Sequence, residues 1–261
     1  MFFSSRNIPI LSYHKIDRRA EWGLTCVKPD RFSRQMAYLK NEGYQPITFH
    51  NLYSGTLPDK PIIITFDDGY RSVYRNAFPV LQETGFSAVV FLITGYIGKL
   101  NTWDANIGGI RFAHLDEGQI AEMSRAGVEI ASHTASHRAL TYLSDNEVRR
   151  ELETSRRRLA EICQREIISL AYPFGLQNSR VRHIARQCGY RFGCVNMWGG
   201  NHGTDVLNLR RTPVYRSDSF GDFRRKLSAG TGHKIELAKL RVISWPARLT
   251  PVYQLFRVKN R

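Results

Sequence analysis

The feature that most limits the folds open to this chain is a recurring unit, a short β-rich run followed by a helical pattern. The β-like runs cover residues 8–13, 61–66, 88–93, 128–132, 167–172, 191–194 and 209–214. Several are continuous apolar runs, as strands buried on both faces require. Helical patterns lie between them. Residues 30–41 place Phe32, Met36 and Leu39 on one face and stop before Gly43. Residues 70–84 stop at Gly85, 116–125 before Gly127, and 178–187 before Gly189. Ser144-Asp-Asn-Glu147 forms a capping box that opens a long helix with Val148, Leu152, Leu159 and Ile162 inward. Seven strands alternating with helices predict either a parallel α/β barrel or a doubly wound sheet. In both, functional side chains collect at the C-terminal ends of strands. The 261 residues suffice for one large domain with a full core.

Four polar motifs sit at such ends. The run 62–66 leads into Asp67-Asp68-Gly69-Tyr70. Neighbouring side chains on extended backbone diverge, so the two carboxylates are expected to do different work, and Gly69 permits the turn after them. Alone, Asp-Asp-Gly reads equally well as a polar turn. The run 128–131 leads into Ser132-His133-Thr134-Ala135-Ser136-His137. Histidines at i and i+4 share a face on a helical turn, a spacing that suits two imidazoles on one ion. The third motif, Leu170-Ala-Tyr-Pro-Phe-Gly175, makes a rigid exit turn in which Tyr172 and Phe174 stand as candidate walls of a groove. The fourth is Ser12-Tyr13-His14-Lys15, at the end of the first run. Trp103, in the loop between residues 95 and 115, reads either as a stacking platform for a sugar or as a packed loop residue.

Together these residues resemble the polysaccharide deacetylase family of metal-dependent carbohydrate esterases. Thr65-Phe-Asp-Asp-Gly69 and His133-Thr-Ala-Ser-His137 match its first two motifs, in order, and Ala171-Tyr-Pro-Phe-Gly175 looks like the third. The resemblance covers roughly residues 8–215. It implies a single-domain irregular (β/α)7 barrel. It further implies that Asp67 is the general base and that Asp68, His133 and His137 ligate a divalent metal, zinc first, with cobalt or nickel as alternatives. A backbone N–H near Tyr172 is expected at the oxyanion, which assigns Tyr172, Pro173 and Phe174 to the substrate and oxyanion site. Two departures stand out. The family's arginine two residues before the motif-three proline is replaced by Ala171, and Arg211 is the candidate substitute. The C-terminal Leu-x-His motif that supplies the acid has no counterpart. Both departures look like the branch that includes the poly-N-acetylglucosamine deacetylases, in which a Tyr-His pair on the first strand supplies the acid. Tyr13-His14 matches that pair, which makes His14 the expected acid.

The resemblance implies removal of N-acetyl groups from an N-acetylated glycan or glycolipid during cell-surface polysaccharide assembly. Deformylation of a lipid-linked amino sugar and an inactive glycan-binding module are the alternatives. The net charge of +15 also suits an anionic membrane surface or nucleic acid, but no nucleic-acid motif accompanies it, so no specific nucleic-acid partner is expected. A basic helical face, with Arg149, Arg150, Arg156, Arg157 and Arg158, accounts for part of the charge. Cys26, Cys163, Cys188 and Cys194 form no C-x-x-C pair and read as free thiols. No apolar run approaches the roughly 20 residues that cross a bilayer, and the N-terminus lacks a signal-peptide layout. The expected location is cytoplasmic, with peripheral contact at the inner face of the membrane as a further option. The catalytic domain is expected to span residues 1–232. Residues 233–261 mix basic and apolar side chains around Pro246 and Pro251, and read either as a cap packed on the barrel or as an amphipathic segment on a membrane.

Overall fold

The structure, a computed structural model, describes residues 8–19, 24–55, 57–103, 110–197, 199–201, 203 and 205–227. The C-terminal segment 233–261 lies outside the described residues, as does its expected packing. No helix among the described residues is long and apolar enough to cross a membrane.

Seven parallel strands form the barrel: β1 (Ile10–Tyr13), β5 (Pro61–Phe66), β6 (Val89–Leu92), β7 (Glu129–Ser132), β8 (Ser169–Ala171), β9 (Phe192–Asn196) and β10 (Leu209–Pro213). They pair in that order, and β10 pairs back onto β1. The ring is therefore closed, which resolves the two architectures left open by the sequence in favour of the (β/α)7 barrel. Six of the seven expected runs contain one of these strands, and β9 overlaps the expected run 191–194 but extends two residues further, to Asn196. Three short strands are additional. β2 (Lys15–Ile16) pairs with β3 (Cys26–Val27), just beyond His14, and β4 (Gln45–Pro46) lies against the start of β5.

Strand parity separates two cores. On β5, Ile62, Ile64 and Phe66 face the surrounding helices, while Ile63 joins the barrel interior. The interior also holds Ile10, Val89, Phe91, Ala131, Phe192, Cys194 and Leu209. Phe49, on the short helix α2 (Phe49–Ser54), fills the base of the barrel and stacks on Phe192 with centroids 5.3 Å apart. Truncating a buried phenylalanine such as Phe91 to alanine costs about 3–5 kcal/mol, through lost transfer energy and the cavity left behind.

The outer layer is α1 (Pro29–Asn41), α3 (Phe78–Thr84), α4 (Glu117–Arg125), α5 (Asp145–Cys163), α6 (Ser179–Gln187) and α7 (Phe220–Leu227). The Ser144–Glu147 capping box is formed at the start of α5. The helix expected over 70–84 is not uniform. Residues Val73–Ala77 form a π turn, with the Phe78 N–H donated to the Val73 carbonyl. Pro79 explains it: the proline has no N–H and its ring would collide with the carbonyl four residues back, at Arg75.

Candidate active site

The inward parity of β5 runs through Thr65 to Asp67, which places this carboxylate inside the barrel mouth, 1% exposed. Arg211 reaches it from the inward face of β10. Its Nη1 donates to Asp67 Oδ1 at 2.6 Å and its Nη2 to Oδ2 at 2.7 Å. Nη1 also donates to the Thr65 hydroxyl at 3.1 Å, and that hydroxyl donates to the Leu11 carbonyl. The bidentate fork fixes the plane of the carboxylate. Burial alone would push the Asp67 carboxyl up, but the Arg211 guanidinium, aided by His133 and His14, holds it well below the usual carboxylate range. The side chain of Asn196 donates to Asp67 Oδ2 at 3.4 Å.

Asp68 turns away from its neighbour because its own backbone is left-handed, with φ of 70°. Gly69 follows with φ of 72°, and a Cβ there would lie 2.1 Å from the Leu92 side chain, so only glycine fits. The Asp68 carboxylate meets the two histidines: Oδ1 lies 3.4 Å from His133 Nε2 and 3.7 Å from His137 Nε2. One ligand atom from each of the three residues lies within 4.8 Å of the others, and all three side chains are buried. The His133 ring is oriented by its Nδ1–H, which donates to the Ala171 carbonyl at 2.7 Å. That bond leaves the Nε2 lone pair facing a carboxylate with no proton between them. Two electron-pair donors turned toward each other in a buried site fit a bound cation. Burial lowers the pKa of both His133 and His137, which keeps the rings in the neutral form a metal needs.

The two histidines do not share a helical turn. Thr134 and His137 are left-handed, with φ of 66° and 60°, and the segment is a tight loop. Of the five described non-glycine residues with positive φ, four line this rim: Asp68, Thr134, His137 and Phe174. Such conformations cost roughly 1–3 kcal/mol each and persist where surrounding bonds hold them. Here the holding bonds are identifiable. The Thr134 hydroxyl accepts the His137 N–H at 3.0 Å. Glu151 Oε2 accepts the N–H groups of Ala135 and Ser136 at 3.0 and 2.8 Å, and its Oε1 accepts the Ser136 hydroxyl. Ser155 shares a hydrogen bond with Ser132 at 2.8 Å.

The other expected residues fall on both sides of the rim. His14 lies at the mouth, with Nε2 3.9 Å from Asp67 Oδ2. Burial pushes its pKa down to about 4 against the opposing pull of Asp67, so the ring is neutral at neutral pH. Pro173 is buried, and the Phe174 ring stands edge-on to His137 with centroids 4.7 Å apart. Tyr172 departs from its expected place. Strand parity sends its side chain out of the barrel into the helix-facing core, where its hydroxyl donates to the Leu207 carbonyl. Its N–H donates to the Cys194 carbonyl at 3.0 Å, so that N–H is already engaged and does not face an oxyanion. Trp103 is a packed residue, 7% exposed, with its ring 4.0 Å from that of His137.

His114, Glu151 and Asn196 were not singled out from the sequence. The Trp103 indole N–H donates to His114 Nε2 at 3.3 Å, so His114 Nδ1 carries the proton and donates to the Asp68 carbonyl at 2.9 Å. Burial pushes His114 down to about 4, which keeps this tautomer neutral. Glu151 carried a legible signal. On α5 it lies on the same stripe as Val148, Leu152, Ser155 and Leu159, and a carboxylate and a hydroxyl on an apolar stripe call for partners. His114 and Asn196 sit in or beside loops and carry no comparable pattern.

The C-terminal rim of a parallel barrel thus carries an Asp-His-His cluster that could hold a metal ion and, beside it, a separate arginine-held carboxylate. The sequence model of the polysaccharide deacetylase family matches residues 54–193, more than half of the chain. The chain belongs to the polysaccharide deacetylase family. It is 29% identical to YxkH of Bacillus subtilis (strain 168) over 225 residues, which cover 83% of this chain and 75% of YxkH. It is 25% identical to the poly-beta-1,6-N-acetyl-D-glucosamine N-deacetylase of Staphylococcus aureus (strain MSSA476) over 180 residues, 64% of this chain and 60% of that enzyme. The deacetylase PplD of Streptococcus pyogenes, solved in complex with acetate, superposes with a TM-score of 0.74 at 27% identity, covering 85% of this chain and 99% of that one. IcaB from Ammonifex degensii shares the fold, with a TM-score of 0.72 at 23% identity over 85% of this chain and 96% of that one.

Proposed function

We propose that the protein is a metal-dependent hydrolase that removes N-acetyl groups from amino sugars of a polysaccharide, oligosaccharide or lipid-linked glycan during cell-surface polysaccharide biosynthesis. The observation that carries this reading is the separation of two adjacent carboxylates: Asp68 faces His133 and His137, while Asp67 faces Arg211. Asp68, His133 and His137 would hold a divalent ion, zinc in the first instance, with cobalt or nickel as alternatives. A bound ion of this kind supplies Lewis-acid polarisation of the amide and stabilises negative charge on its oxygen.

In this reading Asp67 takes the proton of the attacking water. Its fork from Arg211 keeps it ionised and directs a free lone pair into the mouth. The amide carbonyl carbon gains the oxygen, and its C–N bond then breaks. The departing nitrogen needs a proton, and His14 is placed to give it. Since burial holds His14 neutral at rest, it acquires that proton within the cycle, and Asp67, 3.9 Å away, is the adjacent carrier. Phe174 narrows the mouth over His137.

Acetate release from N-acetylated oligosaccharides and from lipid-linked amino sugars, by protein loaded in turn with zinc, cobalt and nickel, tests the reading. Metal-dependent release of acetate is expected. Release of formate alone would redirect the reading to a deformylase, and release of neither product from any substrate would overturn it. His14→Ala is expected to lower turnover by about 10²-fold or more while leaving metal binding intact. Near-normal turnover would remove His14 from the mechanism.

A further inference from the structure

A second concave surface lies beside the barrel mouth. It is a cleft of about 450 Å³ built largely from segments that flank residues of the mouth: 17–19 after His14, 71–76 after Asp67 and Asp68, and 111–113 before His114. Five arginines line it, Arg18, Arg19, Arg71, Arg75 and Arg111, against one acid, Asp17. Asp17 is already paired with Arg19 at 2.7 Å. Asp30 pairs with Arg18 at 2.9 Å, and Asp116 lies 3.6 Å from Arg71. Among the described residues neither Arg75 nor Arg111 has an ion pair, so two guanidinium charges are left uncompensated.

We propose that this cleft binds a phosphoryl group, a monoester or diphosphate, carried by the glycan substrate. The proposal rests on the deacetylase reading for the word substrate, but the anion site stands on its own residues. Two uncompensated guanidinium groups match a group bearing close to two negative charges, where a carboxylate brings one. Guanidinium forks suit the several acceptor oxygens of a phosphate. Position links the cleft to the reaction. Phe112 forms part of its wall and packs on Tyr70 with centroids 6.0 Å apart, in the cluster that contains Trp103, the neighbour of His137. A sugar whose acetamide enters the mouth would present its neighbouring substituent on the far side of that aromatic layer.

Other basic surface makes the necessary control. Arg150 and Arg157 are exposed on α5 and lie outside the cleft. Inorganic phosphate is titrated into the metal-loaded full chain and followed by phosphorus NMR, for wild type, R75E/R111E and R150E/R157E. The expected result is saturable binding that weakens at least about tenfold in R75E/R111E and changes less than about twofold in R150E/R157E. Equal weakening in both variants would reduce the effect to net charge. Binding insensitive to R75E/R111E would put the anion elsewhere, the metal included. Either result, absence of binding to wild type, or glucuronate binding as tightly as phosphate, overturns the proposal. None of these outcomes depends on turnover, so the anion site and the deacetylase reading fail separately. A soluble sugar diphosphate and a polyprenyl-linked one share this chemistry. Comparing their KM values in wild type and R75E/R111E separates the two sources, with KM raised by the variant and kcat unchanged for the one used.

Discussion

Both ends of the barrel hold a histidine beside a buried carboxylate, and the two histidines titrate in opposite directions. At the base, Glu129 meets His50, with Nδ1 3.2 Å from Oε2, and their hydrogen bond raises the histidine pKa. At the mouth, Asp67 lies 3.9 Å from His14, and burial lowers that histidine to about 4. The difference lies first in burial: desolvation is the largest influence on His14, whereas the hydrogen bond to Glu129 is the largest on the half-exposed His50. Glu129 is otherwise bound by neutral donors, the Ser169 hydroxyl and the His50 N–H, and the His50 side chain is 44% exposed. Asp67 still pulls the His14 pKa up, but desolvation outweighs it, and the Lys15 and Arg211 cations add to the lowering. The base closes its polar groups on one another. The mouth keeps neutral imidazoles, an ionised carboxylate and strained backbone in place, the state that the proposed metal-dependent hydrolysis calls for.

The largest expected effect comes from removing the partner that distinguishes the two ends. Arg211→Met leaves the Asp67 carboxylate buried and unpaired. It is expected to cost about 3–5 kcal/mol in urea unfolding, and to abolish activity because the base loses both its charge state and its orientation. A loss under about 1 kcal/mol would break the comparison.

The second effect is in pH. His14 and His114 have folded pKa values near 4, below the unfolded value of 6.5. Between these values the unfolded chain binds protons that the native chain does not. Stability therefore falls as pH drops from about 6.5 toward 4, by roughly 2 kcal/mol per histidine at pH 5. His50 has the opposite sign: its contribution is present below its unfolded pKa and is lost as pH rises through its raised folded value. Unfolding free energies at pH 5, 7 and 9, for wild type and His50→Gln, separate the two ends. A mouth contribution that grows as pH falls would contradict the account.

Smaller still is the effect of loosening the ligand loop. Glu151→Ala strands the Ala135 and Ser136 N–H groups and is expected to weaken zinc binding by about 10–100-fold, while Glu151→Gln, which keeps an acceptor, stays near wild type. Zinc titration against a chelating dye reads both. The smallest effect belongs to the base. Glu129→Gln is expected to return His50 toward its ordinary pKa in a histidine NMR titration, with stability changed by less than about 1 kcal/mol and turnover unchanged.

The barrel was legible because its strands are short apolar runs: six fell within an expected run and β9 overlapped one, running on to Asn196. Closure was not legible, since β1–β10 and β1–β5 pairing is a long-range choice that periodicity does not encode. Asp67 and Asp68 were expected to differ in role, and the structure gives them different partners; the physical cause, the left-handed Asp68, is visible only in the backbone. Arg211 could be named from the sequence as a substitute for a missing arginine, while its bidentate reach depends on the parity of β10. Tyr172 was placed on the wrong side of the wall because the motif alone does not state which face the chain presents just after β8. The π turn at Val73–Ala77 followed from Pro79, a signal that a smooth helical periodicity hides.

The central claim is that adjacent aspartates are divided between metal and base. Zinc affinity of the wild type, D67N and D68N tests it most directly. The account predicts one zinc per chain in the wild type, affinity within about threefold of that in D67N, and at least about tenfold weaker binding in D68N. Loss of zinc in D67N as severe as in D68N, or retention of zinc in D68N, would contradict it.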